Sequence, residues 1–186
     1  NLLGDEQSGQ IKEVGVELYQ DMLRDAVNSF RNDGKEFEEV WSPSISLGLS
    51  VLIPEDYVND LSTRMSLYRK AGELLNSDDI KNFSDELFDR FGPPPSEVIN
   101  LLTTLMIKNK CLKNRINFVD AGPKGLLLGF KNNFFKDADK LISLINKSSG
   151  QIKIRPDQKL FYQKKLNTNE DKTEAVLNLI NQLETL

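Results

Sequence analysis

The sequence predicts an α/β chain of the mixed, α+β kind: a small mixed β-sheet packed with about five helices, preceded by an N-terminal helical extension. Three observations carry this prediction. Residues 44–54 alternate strictly between apolar and small or polar positions, and residues 56–115 hold three successive apolar stripes at helical spacing. The final third then switches between short extended runs and two further helical stripes. With 186 residues, 39% hydrophobic and 28% charged, the chain is long for one domain and short for two full ones.

The helical extension rests on Ile11, Val14, Leu18, Met22 and Val27, which mark a helix over residues 10–32, stopped by Asn32, Asp33 and Gly34. Glu13, Glu17, Asp21 and Asp25 form an acidic stripe along it at i, i+4 spacing, where like charges repel mildly and turn toward water or a basic partner. A charged linker, Lys35 to Pro43, sets a domain boundary between residues 1–42 and 44–186. Beside it, Trp41 serves as an anchor for the core or as an interface hot spot.

The strand over residues 44–54 places Ile45, Leu47, Leu49, Val51 and Ile53 on one face, and Pro54 ends it. The first of the three helices, residues 56–75, is striped by Leu61, Met65, Tyr68, Ala71 and Leu75. The second is capped by Ser77, carries Asp78 and Asp79 in its positive first turn, and buries Ile80, Phe83, Leu87, Phe88 and Phe91 before Gly92 stops it. After the extended Pro93-Pro94-Pro95, Ser96 and Glu97 open a helix to about Arg115, striped by Val98, Leu102, Leu105, Met106 and Leu112.

Strands over residues 116–121 and 125–131 flank a Gly122-Pro123-Lys124 turn. A helix over residues 137–148 points Ala138, Leu141, Ile142 and Ile145 inward. Ile152–Arg155 and Leu160–Lys164 form a second hairpin about Pro156-Asp157. Thr168 with Asp171 matches a capping box before a last helix striped by Val176, Leu179, Ile180 and Leu183.

Composition excludes much chemistry. There is no histidine and a single cysteine, Cys111, so no Ser-His-Asp or Cys-His pair, no zinc site of the usual His/Cys type and no internal disulfide can be assembled. Cys111 reads as a small buried hydrophobe, and one thiol suits a reducing compartment such as the cytoplasm. No apolar run reaches the roughly 20 residues of a membrane-spanning helix. Asn1 is not an initiator Met, and residues 1–9 match neither a signal peptide nor a tag, so the chain reads as a piece of something longer.

The net charge of −4 conceals a strong segregation. Residues 1–60 carry 4 Lys/Arg against 13 Asp/Glu, whereas residues 108–165 carry 14 against 4, a local excess of +10. Within that basic segment Lys108, Lys110, Lys113, Arg115, Lys153, Arg155 and Lys159 are the candidate interaction residues. Alternation of lysines with apolar residues is what the solvated face of a small sheet looks like. An acidic protein surface, in cis or in trans, is a second reading of the same charge. A third is nucleic acid, since Phe118, Phe130, Phe134, Phe135, Phe161 and Tyr162 lie among the lysines.

No catalytic constellation emerges. Gly122, Gly125 and Gly129 lie near Lys124 without a G-x-x-x-x-G-K-[ST] pattern, and read as turn and strand glycines. The carboxylate pairs Asp78-Asp79, Asp85-Glu86 and Asp137 with Asp139 fall in helix first turns or on polar faces, the ordinary place for solvated charge. From the residues alone this is a packing and binding module, with no catalytic, cofactor-binding or metal-binding residues.

Four stretches give the chain a specific likeness: NLLGDEQSGQIKEVGVELYQDML at residues 1–23, IPEDYV at 53–58, RMSLYRK at 64–70 and ELFDRFGPPP at 86–95. In order and spacing these resemble the C-terminal end of the bacterial transcription-repair coupling factor family, the Mfd family, over much of the first 95 residues. The likeness is weaker beyond residue 115. Within it, Gly4, Gln7, Ser8 and Gly9 match the tail of a translocation motif shared with the RecG helicase. The upstream part of that motif is not in this sequence.

The resemblance implies a parent that is an ATP-driven translocase on double-stranded DNA, using ATP and magnesium in lobes before Asn1. Such a parent displaces stalled RNA polymerase and recruits the excision-repair machinery through UvrA. It implies for residues 44–186 a regulatory domain that packs on the N-terminal UvrB-like module of the same protein and covers the surface UvrA uses. The alternative is a nucleic-acid-binding module built on residues 108–165.

Overall fold

The computed structural model describes residues 41–186, which divide into two compact units with separate cores. The helix expected over residues 10–32, its acidic stripe and nearly all of the predicted first domain, residues 1–42, lie outside the described residues. The order of elements is strand, three helices, two strands, helix, two strands and helix, an α+β arrangement with a five-stranded mixed sheet and five α-helices among the described residues.

One unit comprises residues 50–105 with Trp41. Its helices are α1 (Leu61–Gly72), α2 (Ser77–Phe91) and the first part of α3 (Ser96–Lys113). α1 begins later than the expected residue 56, because two chemical events fix its start. Tyr57 N and Val58 N both donate to Pro54 O (3.1 and 3.0 Å), closing a separate turn. The Asp60 carboxylate then accepts from Thr63 N at 2.8 Å, capping the helix there.

α2 is capped by Asn76 rather than Ser77. Asn76 Oδ1 accepts from Asp79 N at 2.9 Å from an extended backbone, and Ser77 becomes the first helical residue. Gly92 ends α2 with φ +84°, its N–H donating to Phe88 O at 2.9 Å. The core gathers Val58, Ala71, Phe83, Leu87 and Val98, all at most 1% exposed.

Several side chains assigned inward from periodicity on these three helices face out: Leu61, Leu75 and Phe88 are 53%, 78% and 55% exposed, and Met106 of α3 is 38% exposed. Phe88 follows the buried Leu87 by one position, about 100° round the helix, which takes it off the packed face. In α1 the buried residues are Ala71, as expected, and Leu67, which the stripe did not include.

The other unit comprises residues 42–49 and 106–186. Its strands are β1 (Ser44–Ser46), β2 (Ile116–Gly122), β3 (Gly125–Phe130), β4 (Ile152–Ile154) and β5 (Leu160–Gln163). They are ordered β1-β2-β3-β5-β4, with β1 parallel to β2 and every other neighbour antiparallel.

The strand expected over residues 44–54 pairs only at Ser44–Ser46. Gly48 adopts φ +67°, which ends the extended run two residues later. The apolar alternation is nonetheless used: Leu47 joins the core of the sheet unit, and Ile53 joins the helical one.

α4 (Ala138–Lys147) and α5 (Asn169–Glu184) complete this unit. Of the four residues expected inward on α4 only Leu141 is fully buried, and Ile142 is 54% exposed. α5 follows its expected pattern. Thr168 and Asp171 form the capping box, and Val176, Leu179, Ile180 and Leu183 are all buried. With Ile107 and Cys111 from α3 and Ile116, Val119, Leu126, Leu128 and Leu160 from the strands, they make a continuous core.

Candidate interaction surface

The two units differ in sign. Residues 50–105 hold 5 Lys/Arg against 10 Asp/Glu, whereas residues 42–49 and 106–186 hold 15 against 8, an excess of +7. The basic segment read along the sequence, residues 108–165, thus falls in the sheet unit, whereas of the acidic residues counted over 1–60 only Glu55, Asp56 and Asp60 are among the described residues.

The seven candidate basic residues do not form one surface. Lys108, Lys110, Lys113 and Arg115 lie on α3 and its exit, and Lys153, Arg155 and Lys159 lie on the β4–β5 hairpin. Much of the first group is engaged internally. Glu184, in the last turn of α5, accepts from Asn114 Nδ2 at 2.8 Å and lies 3.4 Å from Lys110 Nζ and 3.8 Å from Lys113 Nζ. Lys110 also donates to Asn181 Oδ1 at 2.9 Å. Lys108 is half-buried, and burial pushes its ammonium below the usual lysine range. Arg115 is exposed, with φ +56° at the turn out of α3.

The hydrogen bond from Asn114 and the nearby lysines hold the Glu184 carboxyl below its ordinary range. A depressed carboxylate contributes stability above its unfolded pKa, and that contribution is lost as pH falls through its folded pKa. Glu184→Gln is therefore expected to cost about 1 kcal/mol or less at pH 7 in urea unfolding, as partly exposed ion pairs do. The gap to wild type should begin to narrow as pH falls through the ordinary glutamate range, about pH 4, and shrink further below it. An equal gap at pH 3 and pH 7 would show that charge plays no part.

The second group meets the outer face of the sheet. Strand register builds two rows across it. In one, Ser46, Asp120, Leu127, Phe161 and Lys153 stand side by side on β1, β2, β3, β5 and β4. In the other, Ser44, Phe118 and Gly129 are neighbours. A Cβ on Gly129 would stand 3.1 Å from Phe118 Cβ and 3.6 Å from Lys159 Cγ. The missing side chain leaves room for those two residues to meet above it, with Lys159 Nζ 4.1 Å from the Phe118 ring centroid. Arg155 is tied to Asp157 at 3.1 Å, and its N–H donates to Lys159 O.

Phe118, Leu127 and Phe161 are half-buried and stand apart from the core cluster, which occupies the opposite face with α5. Sequence reasoning named Phe118 and Phe161 among the aromatics and Gly129 as a turn or strand glycine, but did not single out Leu127. Only the register, which pairs Phe118 with Gly129 and Leu127 with the sequence-distant Phe161, places all four on one face.

Among the described residues no group of three or more His, Cys, Asp or Glu could hold a metal ion. Asp137 caps α4, and Asp79 receives the Asn76 amide at 2.8 Å, so these carboxylates serve helix starts. The Cys111 thiol is buried and desolvation pushes its pKa up to about 12. Gly4, Gln7, Ser8 and Gly9 lie outside the described residues. No helix of the described residues is long and apolar enough to cross a membrane.

Three of the four stretches that suggested a family are bonded to one another, and the other, residues 1–23, lies outside the described residues. Tyr57 Oη donates toward Leu87 O (3.1 Å) and Gly92 O (2.8 Å), tying IPEDYV to ELFDRFGPPP. Ile53 N donates to Tyr68 Oη at 2.6 Å, and Arg64 donates to Val58 O and Asn59 O at 2.7 and 3.0 Å, tying IPEDYV to RMSLYRK. Lys70 and Arg90 both pair with Glu86, which closes the triangle. These residues earn their spacing by folding one unit.

A family model described as the TRCF domain matches residues 47–141, half of the chain. The chain belongs to the transcription-repair coupling factor family. The transcription-repair-coupling factor of Rickettsia conorii (strain ATCC VR-613 / Malish 7) is 45% identical over 169 residues, covering 89% of this chain and 15% of that protein. The one from Escherichia coli (strain K12) is 27% identical over 187 residues, covering 98% of this chain and 16% of that protein. The chain thus spans about a sixth of the length of the coupling factors it matches. Its fold is similar to a crystal structure of the C-terminal domain of transcription-repair coupling factor, with a TM-score of 0.65 at 18% identity, over 78% of this chain and 93% of that one. Coupling factors act, as their name states, where transcription meets DNA repair.

Proposed function

We propose that this chain is the C-terminal regulatory region of an ATP-driven double-stranded DNA translocase that couples transcription to nucleotide-excision repair. In this reading residues 44–186 dock on the N-terminal UvrB-like module of the same protein, in the cytoplasm, and cover the surface that UvrA uses. Engagement of stalled RNA polymerase releases them. ATP and magnesium are taken by motor lobes of the parent, and the residues of this chain perform no catalysis of their own.

The observation that carries the reading is the division of charge between two folded units, −5 over residues 50–105 and +7 over residues 42–49 and 106–186, in a coupling-factor chain. Contacts between charged surfaces orient partners and release them readily, because their strength lies in screened electrostatics rather than in a large apolar seal. An autoinhibitory contact must be both specific and reversible.

The test adds the 186-residue chain in trans to a parent lacking it. Basal ATPase activity and UvrA binding should both fall, and raised salt should relieve the effect. No change in either at concentrations well above the affinity for the truncated parent overturns the reading.

A further inference from the structure

We propose that the outer face of the sheet, around Phe161, Leu127, Lys153 and Lys159, is a binding platform for single-stranded nucleic acid. This goes beyond the regulatory reading and stands independently of it.

Three features of the face converge. The first is an exposed apolar centre: Leu127 and Phe161 are neighbours on adjacent strands, half-open to solvent and outside the core cluster. A ring so placed offers a flat π-face on which an unpaired base can stack. The second is the one-sided placement of cations. Lys153 stands beside Phe161 on the edge strand β4, Arg155 follows it there, and Lys159 lies at the entry to the neighbouring β5, while Ser44 and Ser46 on β1 and Asp120 on β2 add no cation. The third is a cation fixed in advance. Lys159 is seated over the Phe118 ring at 4.1 Å, so less conformational freedom is lost when a phosphate reaches it.

A single strand lying with its bases over Phe161 and Leu127 and its backbone along the β4 edge meets both kinds of group. A duplex does not, because its base faces are already stacked on one another and closed to the ring. An acidic protein surface would satisfy the lysines and leave the aromatic centre unused. The unit carrying the face has an excess of +7, the sign needed to attract a polyanion.

Fluorescence anisotropy of the whole 186-residue chain with a labelled 20-nucleotide oligo-dT at low salt tests the proposal. Binding should weaken with salt at a log–log slope of about −1.4 to −2.1, two to three phosphate contacts after allowance for Asp157 beside Arg155. Phe161→Ala should weaken binding about tenfold, whereas Phe161→Tyr, which keeps the ring, should bind like wild type. Lys153→Gln, at an exposed position away from the core, should reduce the slope by about 0.7 and guards against a folding defect in the alanine variant.

Three outcomes overturn the proposal. One is no binding at low salt. Another is equal or tighter binding of a duplex of the same length. The third is displacement of oligo-dT by polyglutamate whose own affinity is untouched by Phe161→Ala, which would assign the face to an acidic protein.

Discussion

Gly125→Ala is expected to destabilise the sheet unit by about 3 kcal/mol or more, among the largest effects of any single substitution in this chain. A Cβ at this position would stand 2.0 Å from Tyr162 O and 3.0 Å from Tyr162 C, both backbone atoms of the neighbouring strand. Gly125 also holds φ +149°, a conformation side chains resist. Neither problem can be relieved by turning a rotamer. β3 and β5 must separate locally, which strains the Gly125–Gln163 to Leu128–Leu160 ladder at the centre of the sheet. Gly122, at the other end of the same turn, has nothing within 4 Å of its Cβ position, so Gly122→Ala should change stability by about 0.5 kcal/mol or less. Thermal and urea unfolding of the pair would separate them. Equal, small losses would show that the close approach of the two strands is not required.

The second large effect belongs to the helical unit. Phe83→Ala removes a side chain that is 1% exposed at the centre of its core, and the expected loss is about 3–5 kcal/mol. Phe88→Ala, on the same helix and of identical chemistry, should cost about 0.5 kcal/mol or less, because Phe88 is 55% exposed. Periodicity places both on the buried stripe and only the structure tells them apart, so their ratio in urea unfolding is a direct measure of helix phase. Comparable losses would mean that α2 is rotated from the orientation described.

That ambiguity shows where sequence reasoning stops. α5 was readable in full, since its cap, its first turn and its stripe are local signals that agree with one another. α2 and α4 were readable as helices, and Ile80, Phe83, Leu87 and Leu141 are buried as expected, but the neighbours Phe88 and Ile142 face out, because an apolar residue one position from a buried one lies at the margin of the stripe and only packing decides which way it faces. β1 was over-extended for a similar reason. Alternation over residues 44–54 reports burial of every second residue faithfully, but burial alone does not require a ladder, and Gly48 turns the chain away after Ser46.

The candidate surface was less legible still. Lysines on α3 looked as available as those on the hairpin. Their difference lies in Glu184, which is separated from Lys110 by 74 positions and announced by no motif. Likewise Phe118 and Phe161 meet the same face only through two intervening pairings with β3. Long-range partners of this kind are fixed by packing, and no local pattern records them.

Cys111 opens an experimental route through all of these questions. At pH 7 this thiol, its pKa pushed far up by burial, stays protonated, and it is also sealed in the core. Since it is the chain's sole cysteine, the wild-type sequence is already a silent background for thiol chemistry. A cysteine introduced at Lys153 or Ser46 could carry a fluorophore, a spin label or a photocrosslinker at a single defined spot. The covalent catch from such a probe on the 186-residue chain would identify whatever partner lies against the sheet.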